Sequence, residues 1–526
     1  MKKFVVVGGG TAGWITALYT KKKFPDYHVT VIESKEIGIL GAGEGSTPDL
    51  VKVLYELEIP IHKFISETGG TFKNGIKFSG WSEKTPAYPH NFDVLFDRIH
   101  PHSINRLTKH NDFYGPSIYD IITLNNEEQI RSMDLSINNL NLVPFINNSK
   151  MGGLDFNSFY EFQQFIHVAL HFDARKLAAM LSEIGQQRGI SVIDSTVRQI
   201  NLDNVNDIKS IELSNNDILE PDFVFDCTGF ARLIIGKLYN SEWNDFSHRL
   251  PADRALAFFL EIDKENIPSY TEAIAMNYGW VWKIPLQDRY GCGYVYDSSF
   301  ISDEDAKNEL ETFFGQEINI VNQFKFKPGV YKEVWKNNCL AVGLSTGFLE
   351  PLEATSIAQS IQLLKDFFAN RHNIFNRNEE VIKIFNENYV KITNHIVDFL
   401  QLHYLTNKIN TEFWLKFKEN NKISISLKNK IYLMDNSILR DQDTGGVFFA
   451  DNYYRIWAGM DMLNLENIKK IYEANNFEIW SNEWSQKRII EADYLNDCES
   501  HLSILNYLNN YSKQANKNDL SLITEN

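Results

Sequence analysis

A glycine-rich segment near the N-terminus has the spacing of a dinucleotide-binding turn. Gly8, Gly10 and Gly13 directly follow a short apolar run, and a helix-compatible stretch begins at Trp14. Glycines at this spacing let the backbone approach a pyrophosphate, whose charge the N-terminus of the following helix attracts. Glu33, twenty residues beyond Gly13, is placed to hydrogen-bond ribose hydroxyls. The segment therefore predicts nucleotide binding, in preference to a glycine turn without a ligand.

Three later glycine segments favour FAD as the nucleotide rather than NAD. They lie at residues 41–48, 226–230 and 343–347. An enzyme that binds the whole length of FAD needs backbone contacts from distant segments of its chain. Each segment alone is equally compatible with an ordinary turn, but together they favour FAD.

Eight segments resemble the flavin-dependent tryptophan halogenase family. In chain order they read GGGTAGW, GAGEGSTP, FKNGIKFSGW, HFDARKL, FDCTGF, PADRALA, GWVWKIP and GLSTGFLEPLEATSI, spread over residues 4 to about 365. The resemblance implies an enzyme that uses reduced FAD, molecular oxygen and a halide ion to halogenate an electron-rich aromatic ring. Together with the glycine segments it predicts FAD contacts at Gly8, Gly10, Thr11, Ala12, Gly13, Glu33, Ser34, Glu44, Val197, Leu344 and Ile357.

The most diagnostic segment is the WxWxIP signature, formed by Trp280, Trp282, Ile284 and Pro285. Residues two positions apart on a strand point to the same face, so the two tryptophans would form one wall. The resemblance implies that this wall separates the flavin from the substrate. Without the other segments, a pair of core tryptophans would be the better interpretation.

Lys73 matches the catalytic lysine of the family, whereas Lys77 matches a neighbouring lysine without that role. The implied chemistry needs a cation here, because hypohalous acid must be oriented by a hydrogen bond or held as a haloamine. Lysine suits both functions, since it is a compact donor whose pKa falls on burial. Without the motif, Lys73 would be interpreted as a solvated surface residue.

Glu353 matches the active-site glutamate of the family, and Glu350 is the competing assignment. Electrophilic attack produces a cationic ring that must lose a proton. A fixed carboxylate would stabilise this cation and accept or direct its proton. The alternative is that either carboxylate only caps the helix that begins near Ile357, a contribution of about 0.5 to 1 kcal/mol.

The same helix start predicts a halide site. The backbone N–H groups of Thr355 and Ser356 would be unpaired there, and the helix dipole favours an anion. Thr355 is also compatible with a simple N-cap role. The family usually has serine at the position of Ala354, and often glycine at that of Ser356. Backbone donors survive both changes, so halide binding is retained, but the preference among chloride, bromide and iodide stays open.

The sequence indicates the residues of the substrate pocket less clearly than those of the FAD site. His90 and Phe92 resemble the aromatic-pocket segment of the family, although the match needs a gap. Further along the chain, Tyr454 and Trp457 could stack an indole, or equally pack in the core. We interpret three other histidines as structural residues and find no metal-ligand spacing; these histidines are His171, His395 and His403.

An α/β fold must position these residues. Residues 4–7, the glycine turn, a helix and residues 29–32 form the first unit of a parallel sheet. This order is typical of the Rossmann-type, aromatic-monooxygenase-like FAD-binding fold. Aromatic and β-branched residues at 255–262 and 279–296 predict an additional antiparallel sheet layer.

The C-terminal third is predicted to form a helical cap. Apolar residues from Val381 to Phe399 recur every three or four positions and trace one stripe. The last residues are polar and low in apolar content, which is typical of a frayed end. We predict an FAD-binding module over 1–365 with a surface excursion at about 86–149, a substrate-side cap over 366–511, and a disordered tail over 512–526.

The composition excludes some classes of partner. The chain has 68 Asp and Glu against 52 Lys and Arg, a formal charge of −16, which argues against nucleic acid. No apolar run approaches the roughly 18 to 20 residues of a membrane span, and no signal-peptide core precedes the first glycines. The four cysteines lie far apart. We therefore predict a cytoplasmic protein without membrane attachment, and leave homo-oligomer formation open.

No second dinucleotide fingerprint is visible in the sequence, so reduced FAD is expected from a separate NAD(P)H flavin reductase. The implied substrate is a small indole-like or phenol-like aromatic, either free or carrier-bound. Two other functions remain as alternatives. One is an FAD-dependent aromatic hydroxylase that takes electrons from NAD(P)H itself, and the other is a non-catalytic carrier that binds an apolar group.

Overall fold

The structure is a computed structural model that describes residues 1–92, 142–143, 168–406, 411–467, 470 and 499–524, apart from positions 37, 39, 40, 42, 421, 438 and 465. Its strands are β1 (Lys3–Val7), β2 (His28–Glu33), β3 (Glu44–Gly45), β4 (Thr71–Lys73), β5 (Gly75–Ser79), β6 (Ala87–Asn91), β7 (Leu142–Val143), β8 (Ala169–Phe172), β9 (Ser191–Asp194), β10 (Val197–Leu202), β11 (Ile208–Leu213), β12 (Ile218–Leu219), β13 (Phe223–Asp226), β14 (Trp243–Asp245), β15 (Arg254–Leu260), β16 (Tyr270–Ala275), β17 (Gly279–Pro285), β18 (Tyr290–Tyr296), β19 (Ile320–Lys325), β20 (Gly329–Tyr331), β21 (Trp335–Lys336), β22 (Cys339–Ala341), β23 (Gly347–Phe348) and β24 (Glu499–Ser500). Its α-helices are α1 (Thr11–Lys23), α2 (Asp49–Glu56), α3 (Ile61–Thr68), α4 (Ala174–Gln187), α5 (Asp303–Phe314), α6 (Thr355–Ala369), α7 (Asn373–Asn376), α8 (Glu379–Tyr404), α9 (Glu412–Asn420), α10 (Ile425–Asn436), α11 (Asp441–Thr444), α12 (Ala450–Gly459) and α13 (His501–Thr524).

A six-stranded sheet, in the order β21-β22-β13-β1-β2-β9, carries the glycine turn. β1 pairs in parallel with β13 on one side and with β2 on the other, so that Val5 lies between Val224 and Thr30. Val5 and Val224 are buried, as expected where both faces of a parallel strand are covered. The predicted Rossmann-type α/β class is confirmed.

A seven-stranded sheet, in the order β19-β15-β18-β17-β16-β5-β6, forms the second layer. All of its pairings are antiparallel except that of β16 with β5. It contains the two segments from which an antiparallel layer was predicted. A small sheet of β3, β8 and β4 lies beside it and places Lys73 at the end of a strand.

The predicted surface excursion at about 86–149 is wrong at its start. Residues Ala87–Asn91 form strand β6, which pairs with β5 at the edge of the seven-stranded sheet. The alternation of apolar and polar residues that marks a strand was hard to recognise at residues 87–91, because Pro89 and His90 interrupt the apolar pattern. Apart from residues 142–143, the excursion beyond Phe92 lies outside the described residues.

The C-terminal third is helical, as the spacing predicts. Helix α8 buries the stripe residues Phe385, Tyr389, Ile396 and Phe399 along one face. In the described part of this region, helices α9, α10 and α12 contact α8. Helix α8 is thus the central element of the predicted cap.

The structure differs from the predicted disordered tail. Helix α13 continues to Thr524 and packs against α3 in the first part of the chain. Ser512, where the tail was predicted to begin, is buried, and Ser66 Oγ donates a hydrogen bond to its Oγ at 2.8 Å. Because a tertiary contact holds the start of this polar segment, composition alone misled the prediction.

None of the helices in the described part of the chain combines the length and apolar character that a membrane crossing requires.

Candidate active site

The glycine turn between β1 and α1 is shaped by close backbone contacts. Gly8 has a φ of +117°, and a Cβ on it would lie 2.1 Å from the carbonyl oxygen of Cys227. A Cβ on Gly13 would lie 1.9 Å from the carbonyl oxygen of Gly8. Gly10 is different, because a Cβ added to it would meet no atom within 4 Å. Two of the glycines are required by the fold, and the third leaves space for a ligand.

One cavity of about 1100 Å³ extends from this turn to the seven-stranded sheet. Its lining includes every residue predicted to contact FAD, namely Gly8, Gly10, Thr11, Ala12, Gly13, Glu33, Ser34, Glu44, Val197, Leu344 and Ile357. The Trp14 indole donates a hydrogen bond to Glu33 Oε2 at 3.1 Å, which fixes this carboxylate at the cavity wall. A long cavity beginning at a glycine turn and a helix N-terminus fits an extended dinucleotide such as FAD.

Lys73 lines the same cavity at the end of β4. It is 1% exposed, its Nζ donates to the carbonyl oxygen of Ser46 at 3.1 Å, and the ring centroid of Phe92 lies 5.0 Å away. Burial lowers the pKa of Lys73 to about 8, although the negative charge of Glu353 opposes this change. Lys77, in contrast, is partly exposed, with its Nζ 4.0 Å from Glu272.

Glu353 also lines the cavity and sits in a constrained backbone. It has a φ of 63°, and Ala354, with a φ of 53°, follows it in the left-handed region. Two such non-glycine residues in succession are unusual, and this kind of strain is typical of functional sites. The turn directs the Glu353 side chain inward, where it is 2% exposed.

Two histidines hold the Glu353 carboxylate. His90 Nδ1 lies 2.8 Å and His403 Nε2 3.0 Å from Glu353 Oε1. Burial alone would raise the pKa of Glu353, but the charges and hydrogen bonds of His90 and His403 outweigh it and lower that pKa to about 2. Glu353 is therefore a buried carboxylate that stays ionised at neutral pH.

Both histidines are themselves oriented by hydrogen bonds. His403 Nδ1 lies 2.8 Å from the carbonyl oxygen of Phe399, which can only accept, so this nitrogen carries a proton. The Asn452 amide contacts His90 Nε2 at 3.1 Å. Each ring is thus fixed at one nitrogen and contacts Glu353 through the other. Among the residues that the structure describes, no group of three His, Cys, Asp or Glu residues could hold a metal ion.

Glu350, the competing carboxylate, lies in a different environment. It accepts a hydrogen bond from the Tyr404 hydroxyl at 2.9 Å and does not line the cavity. Burial raises the pKa of Glu350 to about 8, partly opposed by this hydrogen bond. These two glutamates of one short segment therefore differ in charge at neutral pH, and of the two only Glu353 lines the cavity.

The predicted halide site lies at the start of α6. The N-cap is Ala354, whose side chain cannot accept a hydrogen bond, so Thr355 is not the N-cap. Ser356 lines the cavity, whereas Thr355 is buried and does not line it. The helix end thus keeps backbone N–H groups without a side-chain cap beside the cavity, which suits an anion.

The signature tryptophans form part of the cavity wall. Trp280, Trp282 and Ile284 on β17 line the cavity, and the two indole centroids lie 6.3 Å apart. A Cβ on Gly293 of the neighbouring strand would lie 2.0 Å from the Trp282 ring, so this glycine provides the space for the indole. Pro285 lies beyond the cavity, and its carbonyl oxygen accepts a hydrogen bond from Thr71.

The residues predicted for the substrate pocket lie in two different places in the structure. His90 and Phe92 lie near the site, beside Glu353 and Lys73 respectively. Tyr454 and Trp457 do not line the cavity, because they are buried in helix packing. The Tyr454 hydroxyl accepts from the Leu439 amide, and the Trp457 indole donates to Asp435. These contacts agree with the alternative interpretation of both residues as core.

Sequence reasoning missed two residues of this site. His403 was interpreted as structural, and Asn452 was not considered. Both lie on helices that are distant from Glu353 in the sequence, and no local spacing marks them. The apolar stripe of α8 was visible in the sequence, but His403 on this helix cannot be distinguished from an ordinary core histidine without the fold.

The fold, the glycine turn and the cavity with its buried lysine and glutamate define an α/β flavin-dependent enzyme. Residues 3–474 match the sequence profile of the tryptophan halogenase family, and the chain belongs to that family.

Known relatives agree with this assignment. The chain is similar to the tryptophan 6-halogenase SttH of Streptomyces toxytricini, with 31% identity over 426 residues that cover 78% of this chain and 80% of SttH. It is also similar to the tryptophan 7-halogenase KtzQ of Kutzneria sp. (strain 744), with 31% identity over 80% of this chain and 79% of KtzQ. Among solved structures, the flavin-dependent halogenase BrvH of Brevundimonas sp. BAL3 superimposes with a TM-score of 0.76 and 25% identity, covering 97% of this chain and 99% of BrvH.

The different surroundings of Gly8 and Gly10 lead to a first prediction. Gly8→Ala should lower the free energy of unfolding by about 2 to 4 kcal/mol, because the methyl group meets backbone and φ is positive. Gly10→Ala should leave the stability of the FAD-free protein unchanged but weaken FAD binding about tenfold, because its methyl group faces the ligand. Thermal unfolding and fluorescence titration with FAD measure the two effects. If the FAD affinity of Gly10→Ala is unchanged, the pyrophosphate does not bind at this turn.

Proposed function

We propose that this protein halogenates an electron-rich aromatic substrate, using reduced FAD, molecular oxygen and a halide ion, with Lys73 and Glu353 as its catalytic residues. The observation that carries the proposal is that both buried side chains line the cavity that begins at the glycine turn. A lysine whose pKa is about 8 and a glutamate whose pKa is about 2 give the site a hydrogen-bond donor and a permanent anion.

The residues along the cavity fit FAD. The open face of Gly10 and the N-terminus of α1 would hold the pyrophosphate, and Glu33 would hold the ribose hydroxyls. Leu344 and Ile357 would contact the other part of the cofactor. Bound reduced FAD supplies, with oxygen, the oxidising capacity that converts a halide ion to hypohalous acid. Trp280 and Trp282 would keep the aromatic substrate away from the flavin.

Lys73 would orient hypohalous acid towards the substrate. Its ammonium donates hydrogen bonds, and its burial excludes the water that would otherwise compete for them. The lowered pKa of Lys73 also leaves a fraction of free amine at neutral pH, which haloamine formation would require. The family resemblance supports this assignment of Lys73 over Lys77.

Glu353 would act on the aromatic ring. Its carboxylate can stabilise the cationic ring formed by electrophilic attack and can accept the departing proton. His90 and His403 keep the carboxylate ionised and fixed, so little reorganisation is needed when positive charge develops. The backbone N–H groups at the start of α6, at Thr355 and Ser356, would bind the halide.

The relatives suggest which substrate should be tested first. SttH and KtzQ are named as halogenases of tryptophan, so tryptophan and simpler indoles are the first candidates. Because Tyr454 and Trp457 are buried, this chain would bind the aromatic ring with other residues, among which Phe92 lies near Lys73. Phenols belong in the same screen.

A reconstituted assay tests the proposal and gives a second prediction. The purified protein alone should not oxidise NADPH in the presence of an aromatic substrate, because it is proposed to receive reduced FAD from a separate reductase. Addition of an unrelated flavin reductase, FAD and bromide or chloride should give halogenated product, measured by mass spectrometry. Rapid NADPH oxidation by the single chain, stimulated by substrate, would instead identify a hydroxylase. If none of the tested indoles and phenols is turned over with reduced flavin, the result would favour the non-catalytic carrier.

A further inference from the structure

Gly45 brings no side chain into the part of the cavity that lies next to Lys73. A Cβ on Gly45 would lie 3.1 Å from Lys73 Nζ, 3.4 Å from Thr271 Oγ1 and 3.5 Å from His171 Cδ2. Gly45, Lys73 and Thr271 all line the cavity. We call this space the Gly45 notch. The Lys73 ammonium and the Thr271 hydroxyl border this notch, and a Cβ on Gly45 would crowd the ammonium.

The hydrogen bonds around His171 determine which way the Thr271 hydroxyl points. Thr71 Oγ1 lies 2.7 Å from the carbonyl oxygen of Pro285 and 2.9 Å from His171 Nδ1. The carbonyl can only accept, so the Thr71 proton goes to Pro285, and His171 Nδ1 must carry a proton of its own.

The other nitrogen of His171 is therefore an acceptor in the neutral ring. His171 Nε2 lies 2.9 Å from Thr271 Oγ1, so the Thr271 hydroxyl donates its only proton to His171. Burial, together with the nearby charges of Lys73 and His501, holds the pKa of His171 well below its ordinary value, so the ring is neutral. Thr271 consequently presents only oxygen lone pairs to the Gly45 notch.

We propose that the Gly45 notch binds the oxygen atom of hypohalous acid, with Lys73 donating to this oxygen and Thr271 accepting the hydrogen bond from its O–H. This inference rests on the proposed function. It adds to that function a binding subsite, the Gly45 notch, and a residue that orients hypohalous acid, Thr271. Hypohalous acid has one acceptor oxygen that also carries one proton, and the notch offers one donor and one acceptor. No covalent bond forms or breaks in this binding step.

The two hydrogen bonds would decide which end of the molecule reacts. They fix the oxygen in the notch, so the halogen atom is the free end and faces away from Lys73 and Thr271. His171 is a positioning residue in this arrangement, since it acts only through Thr271. Its neighbours on the small sheet, Gly45 opposite on β3 and Thr71 opposite on β4, keep it in place.

The first test removes the Thr271 acceptor and keeps the shape of the side chain. In the reductase-coupled assay with bromide and indole, Thr271→Val should form about fivefold to tenfold less product per FADH2 oxidised, the effect of one lost hydrogen bond. The oxidising equivalents that do not appear in product should be released as hypobromous acid, which a diketone trap detects. Thr271→Ser, which keeps the hydroxyl, should restore most of the product. Equal yields from Thr271→Val and wild type, or equal losses in Thr271→Val and Thr271→Ser, would refute the role of the hydroxyl.

The second test needs neither flavin nor halide, so it remains valid even if the proposed function fails. Cyanate is a small reagent that carbamylates free amines, and mass spectrometry can follow Lys73 with Lys77 as an internal reference. Gly45→Ala should slow carbamylation of Lys73 about tenfold relative to Lys77, because the added methyl group fills the notch from which the reagent approaches. The backbone of Gly45 needs no positive φ, so the alanine variant should fold. An unchanged ratio would show that the notch is not a binding space for small molecules.

Discussion

Lys73→Ala is expected to lose halogenation by about a thousandfold while it still binds reduced FAD and consumes oxygen. The reason is that Lys73 belongs to β4 rather than to the glycine turn and is proposed to act on hypohalous acid after it forms. Among the residues that the structure describes, the buried ammonium donates to the carbonyl oxygen of Ser46, so two of its three protons are left for ligands. Product formation and oxygen uptake, measured with reduced FAD in excess, separate the two effects.

Lys77→Ala is the matched control. Lys77 lies four residues further on, on β5, is partly exposed, and has Glu272 and the Tyr270 ring as neighbours. Its loss should change turnover by less than about threefold, since an exposed ion pair contributes little. Substantial product formation by Lys73→Ala at a normal rate of flavin oxidation would disprove the catalytic role of Lys73.

Glu353→Gln is expected to slow halogenation about a hundredfold, or roughly 2.7 kcal/mol, because one preorganised electrostatic partner is removed. The amide keeps the shape of the side chain but carries no charge to stabilise the cationic ring. It also cannot accept hydrogen bonds from both histidines as well as the carboxylate does, since one of its two polar ends is a donor. FAD affinity should barely change.

Glu350→Gln is the control for this substitution. Glu350 is held neutral by burial, with a pKa of about 8, so an amide replaces one uncharged group by another. Any effect of Glu350→Gln should appear in stability or flavin binding, because Glu350 accepts from Tyr404 and does not face the cavity. A near-normal rate for Glu353→Gln beside a collapsed rate for Glu350→Gln would transfer the catalytic role to Glu350.

Features that depend on short stretches of sequence could be predicted. The turn with Gly8, Gly10 and Gly13 follows from local backbone requirements, and all eleven predicted FAD contacts line one cavity. The strands that were predicted in the two sheets follow from continuous apolar runs and from β-branched and aromatic composition; they are β1, β2, β15, β17 and β18. Strand β6 was missed because Pro89 and His90 hide its alternation, and pairing with β5 compensates for this weak local signal.

The tertiary structure alone decided how the site is charged and oriented. The sequence offered Glu350 and Glu353 as equivalent types three residues apart, and neighbours from distant helices made one neutral and the other ionised. His403 contacts Glu353, Asn452 contacts His90, and Tyr454 lies in the core, because helix packing determines which residues of α8 and α12 reach the site. Residue type and spacing determine local geometry, whereas a pKa or a hydrogen-bond direction depends on burial and on neighbours brought together from anywhere in the chain.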